Sequence, residues 1–188
     1  GDLTVSANTL NNRGTLGSAE NLRLVTPTLL NENGLIFSGE DMTLRVNNFT
    51  NKFADVYSLG ALSIAKNDQL DQADTVENIS ATLESAGDIR INAQTLDNRT
   101  DVYSLGRELI SGFIAVRCYD CSGDHYTVDY VAKEFYEGSV LDDSPSAFIS
   151  SGGNFNFVGD DLFNRQSTIS AAGNIAVQAA NFSNVGAI

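Results

Sequence analysis

The fold is decided by the stretch Gly-Asp-Leu-Thr-Val-Ser-Ala-Asn-Thr-Leu-Asn-Asn at residues 1–12, whose pattern returns as Gly-Asp-Ile-Arg-Ile-Asn-Ala-Gln-Thr-Leu-Asp-Asn at 87–98. In each copy an apolar residue is followed seven positions later by another and nine positions later by asparagine. Most copies start about 20 residues apart, and a period of this length without a helical pattern indicates a β-solenoid. Copies with this spacing start at Leu3, Leu22, Met42, Ile89, Phe155 and Ile175.

The first residues of each repeat alternate between apolar and polar, as in Leu22-Arg23-Leu24. This period of two is typical of a half-buried strand. Strands of successive repeats stack about 4.8 Å apart, so equivalent side chains form columns. We therefore predict an all-β fold, a right-handed parallel β-helix of about seven coils with a hairpin-like excursion, which forms one domain over residues 1–188.

The asparagine that closes each repeat is predicted to be structural. A buried asparagine can bond the amide groups above and below it and can cap the backbone at a corner. The predicted asparagine ladder consists of Asn12, Asn31, Asn51, Asn78, Asn98, Asn164 and Asn184.

Two segments interrupt this register. A repeat starts at Leu62, but its Asn78 arrives seven residues late, which indicates a short insertion over 66–74. A longer excursion covers 107–146, and its alternating apolar runs predict two strands of a hairpin lying along the solenoid. A loop of this length is usually functional or disordered, and its aromatic composition argues against disorder.

The long excursion is the candidate binding segment. Tyrosine is enriched at binding hot spots, and here tyrosines are flanked by acidic residues. The candidate receptor-binding residues are Phe113, Tyr119, Asp120, Asp124, His125, Tyr126, Tyr130, Phe135 and Tyr136. The alternative, compatible with binding, is that these aromatic side chains cover the core where a coil is interrupted.

Both cysteines of the chain lie in this excursion, at Cys118 and Cys121. An exported chain favours their oxidation, so a disulfide that stiffens the hairpin tip is the preferred prediction. Zinc bound with His125 is a weaker alternative, because a fourth ligand would have to come from Asp120, Asp124 or a remote carboxylate. Free thiols are the remaining possibility. We predict no metal site.

The charge balance excludes some classes of partner. The chain has 11 Lys and Arg against 24 Asp and Glu, a formal net charge of −13, which argues against nucleic-acid binding. No stretch approaches the roughly 20 apolar residues that span a bilayer. Gly1 opens directly in a repeat without a signal peptide, so we expect a segment of a longer chain.

An enzymatic site is not predicted. Parallel β-helices also host polysaccharide lyases and hydrolases, but adjacent residues of a strand point to opposite faces, so no acid pair here is a ready catalytic dyad. The pairs are Glu40-Asp41, Asp142-Asp143 and Asp160-Asp161. His125 lies in no triad-like context. We predict no catalytic residue and no cofactor, with a carbohydrate-active β-helix as the least favoured alternative.

The repeats also resemble a known family. The units at 1–14, 87–99 and 173–184 are similar to filamentous haemagglutinin repeats, which occur in the long exoproteins of bacterial two-partner secretion. The resemblance covers about 140 residues, since both the Gly-Asp or Gly-Asn start and the Leu-x-Asn or Phe-x-Asn end recur in phase. Residues 87–125 look most like the CdiA-type effectors of contact-dependent growth inhibition.

This resemblance implies a secreted chain exposed on the bacterial cell surface. It implies a receptor on a neighbouring bacterium, either an outer-membrane protein or lipopolysaccharide, and an outer-membrane two-partner-secretion transporter that acts on the parent chain. In that family the repeats form a filament that delivers a C-terminal toxin. The expected function is therefore stalk and receptor binding, with a purely structural stalk as the alternative.

Overall fold

The computed structural model describes residues 1–124 and 126–186, and His125 lies outside them. Within these ranges the chain forms strands and turns and no α-helix, which confirms the prediction of an all-β chain. In the described part of the chain, no helix is long and apolar enough to cross a membrane.

The structure has nineteen strands in the described residues. In chain order they are β1 (Leu3–Ser6), β2 (Thr9–Asn12), β3 (Thr15–Ser18), β4 (Leu22–Glu32), β5 (Leu35–Ser38), β6 (Met42–Lys52), β7 (Asp55–Ser58), β8 (Leu62–Ala65), β9 (Ala73–Ile79), β10 (Thr82–Ser85), β11 (Ile89–Arg99), β12 (Tyr103–Asp120), β13 (Thr127–Asp143), β14 (Phe148–Ser151), β15 (Phe155–Val158), β16 (Asp161–Arg165), β17 (Thr168–Ala171), β18 (Ile175–Gln178) and β19 (Asn181–Val185).

The chain divides into two compact units. Unit 1 consists of 1–101 and 144–188, and unit 2 consists of 102–143. Unit 1 contains a parallel sheet of eleven strands, whose main order is β1-β4-β6-β8-β11-β15-β18, and a parallel sheet of six strands in the order β17-β14-β10-β7-β5-β3. Unit 2 is the antiparallel pair β12-β13. The sequence predicts one domain over residues 1–188 that contains the excursion, and this stays a prediction.

Strand pairing in unit 1 follows the sequence register. Leu22 pairs with Leu3 on one side and with Met42 on the other, so residues at the same repeat position are neighbours. The long excursion does not shift this register, because Ile89 still pairs with Phe155. A one-residue slip would move each buried side chain to the opposite face, which is why the apolar pattern specifies the pairing.

The core of unit 1 is built from the apolar columns that this pairing creates. One column contains Leu22, Met42, Leu62, Ile89 and Phe155, each at most 1% exposed. Further columns come from the second apolar position of each strand and from the six-stranded sheet, and all belong to one hydrophobic cluster. Burial of these side chains, at about 25 cal/mol per Å² of apolar surface, is the main favourable term in folding.

A buried column of serines closes the six-stranded sheet. It contains Ser18, Ser38, Ser58, Ser85 and Ser151. The Ser38 hydroxyl lies 3.0 Å from that of Ser58, and Ser58 donates to the carbonyl of Glu40 at 2.8 Å. These hydroxyls donate to backbone carbonyls at the turn between repeats, which also accept a backbone N–H from the next repeat, as Glu40 does from Gly60 at 2.9 Å. The sequence pattern indicates turn chemistry here but not a continuous column.

Candidate functional site

The asparagine ladder runs through unit 1, buried from Asn12 to Asn164 and exposed at Asn184. The structure brings all seven asparagines together, and each side-chain Nδ2 donates to the Oδ1 of the next along the stack at 2.7–2.9 Å. Asn51, which is fully buried, also donates to the carbonyls of Ala54 and Thr82. Every polar atom of this side chain is therefore used within the protein, which is a structural role.

The short insertion is held against the eleven-stranded sheet. Residues 66–72 of the insertion connect β8 to β9, and the last two residues of the predicted range belong to β9. The Asp68 carboxylate accepts hydrogen bonds from Arg23 at 2.8 Å and from Arg45 at 3.0 Å. The hydrogen bond from Arg45, and to a smaller extent the one from Arg23, lowers the pKa of Asp68 from its ordinary value. Asn92 donates to the carbonyl of Leu70 at 2.9 Å. Three neighbouring strands thus contact one loop, which the sequence could not indicate.

The long excursion folds as a hairpin in which β12 and β13 pair antiparallel from Tyr103 opposite Asp143 to Asp120 opposite Thr127. Its strands begin four residues before the predicted start at 107 and end three residues before 146. The register shifts between Ser104 and Leu105, between Leu109 and Ser111 and between Cys118 and Asp120. Such bulges increase the local twist of a strand pair.

The two faces of the hairpin carry different side chains. Directly opposed residues share a face, and the pairing places Phe113 beside Lys133 and next to Phe135. The rings of Phe113 and Phe135 stack with centroids 6.2 Å apart. The other face carries Ile114, Val116 and Tyr130, since Val116 opposes Tyr130. That second face is a band of apolar and aromatic side chains.

These side chains are exposed to solvent. Tyr119 is 78% exposed, Tyr126 80%, Tyr130 71% and Ile114 71%. Contiguous exposed apolar surface is unusual in a soluble protein and marks interaction sites. The predicted residues Phe113, Phe135 and Tyr136 are about half exposed as well. These aromatic side chains are therefore not buried by the rest of unit 2.

Acidic side chains surround this surface. Residues 102–143 contain eight Asp and Glu against three Lys and Arg. The Tyr136 hydroxyl donates to Glu134 at 2.6 Å, which raises the pKa of Tyr136. Near the tip, the Ser122 hydroxyl donates to Asp120 at 2.9 Å, while Asp124 is exposed. A surface of this composition favours a neutral or basic partner over an anionic one.

The hairpin tip contains both cysteines. Cys118 and Cys121 form a disulfide, with Cα atoms 6.0 Å apart, and the described residues contain no free cysteine. Both thiolates that a zinc ion would need are thereby used. No group of three or more His, Cys, Asp or Glu that could hold a metal ion occurs within 1–124 and 126–186. The candidate His125 lies outside the described residues, so its predicted role stays a prediction.

Two of the acid pairs considered for catalysis, Glu40-Asp41 and Asp160-Asp161, lie at the corners of repeats, whereas Asp142-Asp143 ends strand β13 of the hairpin. Asp41 accepts the backbone N–H of Ala61 at 2.8 Å, and Asp161 accepts the side-chain amide of Asn181 at 2.7 Å. Each of these carboxylates therefore bonds the neighbouring repeat. This arrangement caps turns, and it does not place two carboxylates across a bond to be cleaved.

A comparison with protein families matches the chain to the haemagglutinin repeat over residues 1–80, 63–106 and 126–188. No significant match was found among curated proteins or solved structures. The matched family implies a secreted, surface-exposed, adhesin-like protein in which the repeat is typically structural and not enzymatic. The repeat spacing, the in-phase strand pairing and this match together show that the chain belongs to the haemagglutinin repeat family.

Proposed function

We propose that this chain is a non-catalytic segment of a CdiA-like effector, a secreted filament that delivers a toxin to neighbouring bacteria. In this proposal unit 1 is part of the stalk and unit 2 contributes to receptor binding on the target cell. The observation that carries the proposal is the exposed apolar and aromatic surface of unit 2. A stalk alone needs no such surface, because unpaired apolar area promotes aggregation.

The stalk is proposed to be a right-handed parallel β-helix of about seven coils. Support comes from parallel pairs that join residues one repeat apart, such as Leu24 with Leu44, and from the unbroken asparagine ladder. Connections between parallel strands of one sheet are right-handed in about 98% of cases. Each repeat adds a coil that buries the one before it, which suits a rigid spacer.

The proposed partner is an outer-membrane protein of a target bacterium or the sugars of its lipopolysaccharide. The parent chain is proposed to be exported by an outer-membrane two-partner-secretion transporter. Binding energy at interfaces is concentrated in a few aromatic or large side chains near the centre of the contact. Ile114, Val116 and Tyr130 share one face and form the centre of the exposed band. We therefore assign them the largest share of the binding energy.

The test is binding of the purified chain to intact Gram-negative cells, with and without their major outer-membrane proteins and with full-length or truncated lipopolysaccharide. The double variant Ile114→Ser/Tyr130→Ser is expected to bind at least about tenfold more weakly. The matched control is Leu59→Ser, which removes a side chain of unit 1 that is also exposed, at 50%. Equal binding by all three chains would reject the hairpin as the receptor site.

Cell binding and an assay of glycan turnover together decide between the proposal and its alternatives. A purely structural stalk predicts that neither the unchanged chain nor any variant binds target cells. A carbohydrate-active β-helix predicts turnover of glycans and its loss in Asp161→Asn. Neither alternative accounts for the exposed face of the hairpin, so the adhesive role is the one that the geometry supports best.

A further inference from the structure

Unit 1 contains a groove that the receptor-binding proposal does not use. Its volume is about 350 Å³, within the range of small-ligand sites. Its walls include Phe53, Asp55, Ser80, Thr82, Ser146 and Phe148. All of these residues belong to unit 1.

The groove arises from a missing turn. In four repeats the residue two positions after the ladder asparagine turns the corner in the left-handed conformation, and these residues are Asn33, Phe53, Ser80 and Gln166 with φ of 52°, 47°, 45° and 47°. After Asn98 the described chain has no such residue and continues into β12 instead. When the chain returns, Ser146 contributes to the wall of the groove.

Phe53 is an unusual residue for its position. A bulky side chain at φ of 47° is disfavoured by sterics, whereas asparagine tolerates this conformation and occupies the same position at Asn33. The ring is nevertheless 39% exposed and contributes to the groove. Strained residues cluster at binding sites because function maintains them. Phe148, which is 47% exposed, offers a second aromatic surface.

Polar groups lie in register with the second ring. Asp55 pairs with Thr82, and Thr82 pairs with Phe148, so the three side chains form one outward column. Rows of this column are about 4.8 Å apart, which sets Asp55 about 9.6 Å from Phe148. This span fits one sugar ring with its hydroxyl groups. The Asp55 carboxylate can accept hydrogen bonds from two adjacent hydroxyls.

Charge selects the class of ligand. An anion is disfavoured by Asp55 and by the net charge of −13. A cation is disfavoured at Phe53, since the Lys52 ammonium already lies 5.4 Å from the centre of that ring and pairs with Asp101 at 2.9 Å. A neutral ligand with an apolar face and several hydroxyls fits the Phe148 ring and the Asp55 carboxylate, with the part of Phe53 that Lys52 does not cover as a second wall. We infer that this groove binds a neutral pyranose sugar.

The inferred site is separate from the hairpin, and it stands whether or not the hairpin binds a receptor. Aromatic rings contact the C–H groups on the face of a pyranose, while its hydroxyls require side-chain acceptors and donors such as Asp55 and Thr82. A ligand of about a dozen non-hydrogen atoms on an open site is expected to bind with a Kd on the order of 1 mM. A polymer with several such sugars would bind more tightly through avidity.

The test is NMR titration of the whole 188-residue chain with the methyl glycosides of glucose, galactose and mannose. At least one glycoside is expected to shift the amide resonances of Asp55, Thr82 and Phe148 and to receive saturation transfer from the aromatic rings. Tetramethylammonium and methyl glucuronoside serve as the cationic and anionic probes. No shift with any of the three neutral glycosides overturns the inference, and so does a stronger response to either charged probe.

Neighbouring repeats supply variants that preserve the fold. Phe53→Asn gives this position the asparagine that Asn33 provides at the equivalent position of the preceding repeat. Phe148→Thr gives its position the threonine found on both sides in the same column, at Thr82 and Thr168. Each is expected to weaken sugar binding about tenfold or more. The control is Phe113→Thr in the hairpin, which should leave sugar binding unchanged. Sugar titrations that are unchanged in both groove variants would overturn the inference. Cell binding that is lost only in hairpin variants would support the receptor-binding proposal and would leave the sugar site unaffected.

Discussion

Asn51 illustrates how a single residue joins two repeats. Its Nδ2 donates to Asn78 at 2.9 Å and to the carbonyl of Thr82 at 2.9 Å, while its Oδ1 accepts from Asn31 at 2.8 Å. A buried polar group costs free energy unless it is hydrogen-bonded, and here every group is bonded. In the described residues no buried side-chain nitrogen or oxygen lacks a partner. The ladder therefore stabilises the stack and specifies its register.

Asn51→Ala is expected to lower the free energy of unfolding by about 3 kcal/mol or more, because it removes four buried hydrogen bonds, two to carbonyls of adjacent repeats and two to asparagine side chains. Asn184→Ala removes the bond from Asn164 at an exposed position, and a loss below about 1 kcal/mol is expected. Urea unfolding followed by circular dichroism measures both. Equal losses would show that the ladder carries no cooperative stabilisation.

At the scale of elements, the 66–74 insertion is docked by charge. Asp68 contacts Arg23 on β4 and Arg45 on β6, and the Arg45 side chain is nearly buried. Arg45 also donates to the carbonyl of Ser63 at 3.3 Å. A guanidinium presents several donors in a plane, so one residue can bond both the sheet and the loop. The insertion is thereby an ordered part of unit 1.

Asp68→Asn is expected to speed amide hydrogen exchange in the insertion several-fold at pH 7, because it removes the charge that Arg23 and Arg45 pair with. The matched control is Asp74→Asn, which affects an exposed pair with Lys66. Exchange followed by mass spectrometry measures both variants. The same exchange rate in all three chains would contradict charge-based docking.

Acid should release the same loop. The folded chain lowers the pKa of Asp68 from 3.8, so its pairing stabilises the docked loop fully above that pH. This stabilisation is lost as the pH falls through the lowered pKa. The Nε–H resonance of Arg45, which bonds Asp68 at 3.0 Å, should shift in that range. A resonance that titrates only above pH 3.8 would contradict the assignment.

The disulfide is an element-scale feature as well. Cys118 and Cys121 are three residues apart, and the loop-closure contribution of so short a loop is about 2 kcal/mol at most. Cys118→Ser/Cys121→Ser is expected to speed amide exchange near the tip. The thermal unfolding midpoint of unit 1, followed by the NMR signals of the buried Phe49 ring, should change by less than about 2 °C. A larger shift would show that the tip supports unit 1.

At the scale of the whole molecule, unit 1 is a stack in which each repeat packs on its neighbours. Phe49 and Phe182 occupy the same column, yet Phe49 is 0% exposed and Phe182 is 60% exposed. The same residue type at the same repeat position therefore buries different areas. Stability in such arrays is approximately a sum of repeat and interface contributions.

Phe49→Ala is expected to cost about 3–5 kcal/mol, since it leaves a cavity between two covering repeats. Phe182→Ala should cost less than about 1 kcal/mol, because its ring is largely exposed. Chemical denaturation of the two variants provides the comparison, with the m-value as a check on two-state behaviour. Similar losses of unfolding free energy in the two variants would contradict a stack in which a side chain is buried only when repeats cover it on both sides.

Much of unit 1 could be predicted from the sequence because equivalent residues recur at fixed spacing. The apolar columns, the asparagine ladder and the short insertion all follow from that period, since stacked repeats bring equal positions together. The groove could not be predicted. Phe53 and Phe148 are 95 positions apart in the chain, and no periodic signal indicates that the turn after Asn98 is missing.

The hexapeptide Asp-Val-Tyr-Ser-Leu-Gly occurs twice, at 55–60 and at 101–106. Its two copies separate what the sequence determines from what the tertiary structure decides. In the first copy Val56 is fully buried in a parallel strand, whereas in the second Val102 is 41% exposed and the next residues start an antiparallel hairpin. The sequence alone determined the repeat, its period and its buried columns. Only tertiary structure decided which copy joined the stack, because a strand's partners supply the hydrogen bonds and burial that its own residues lack.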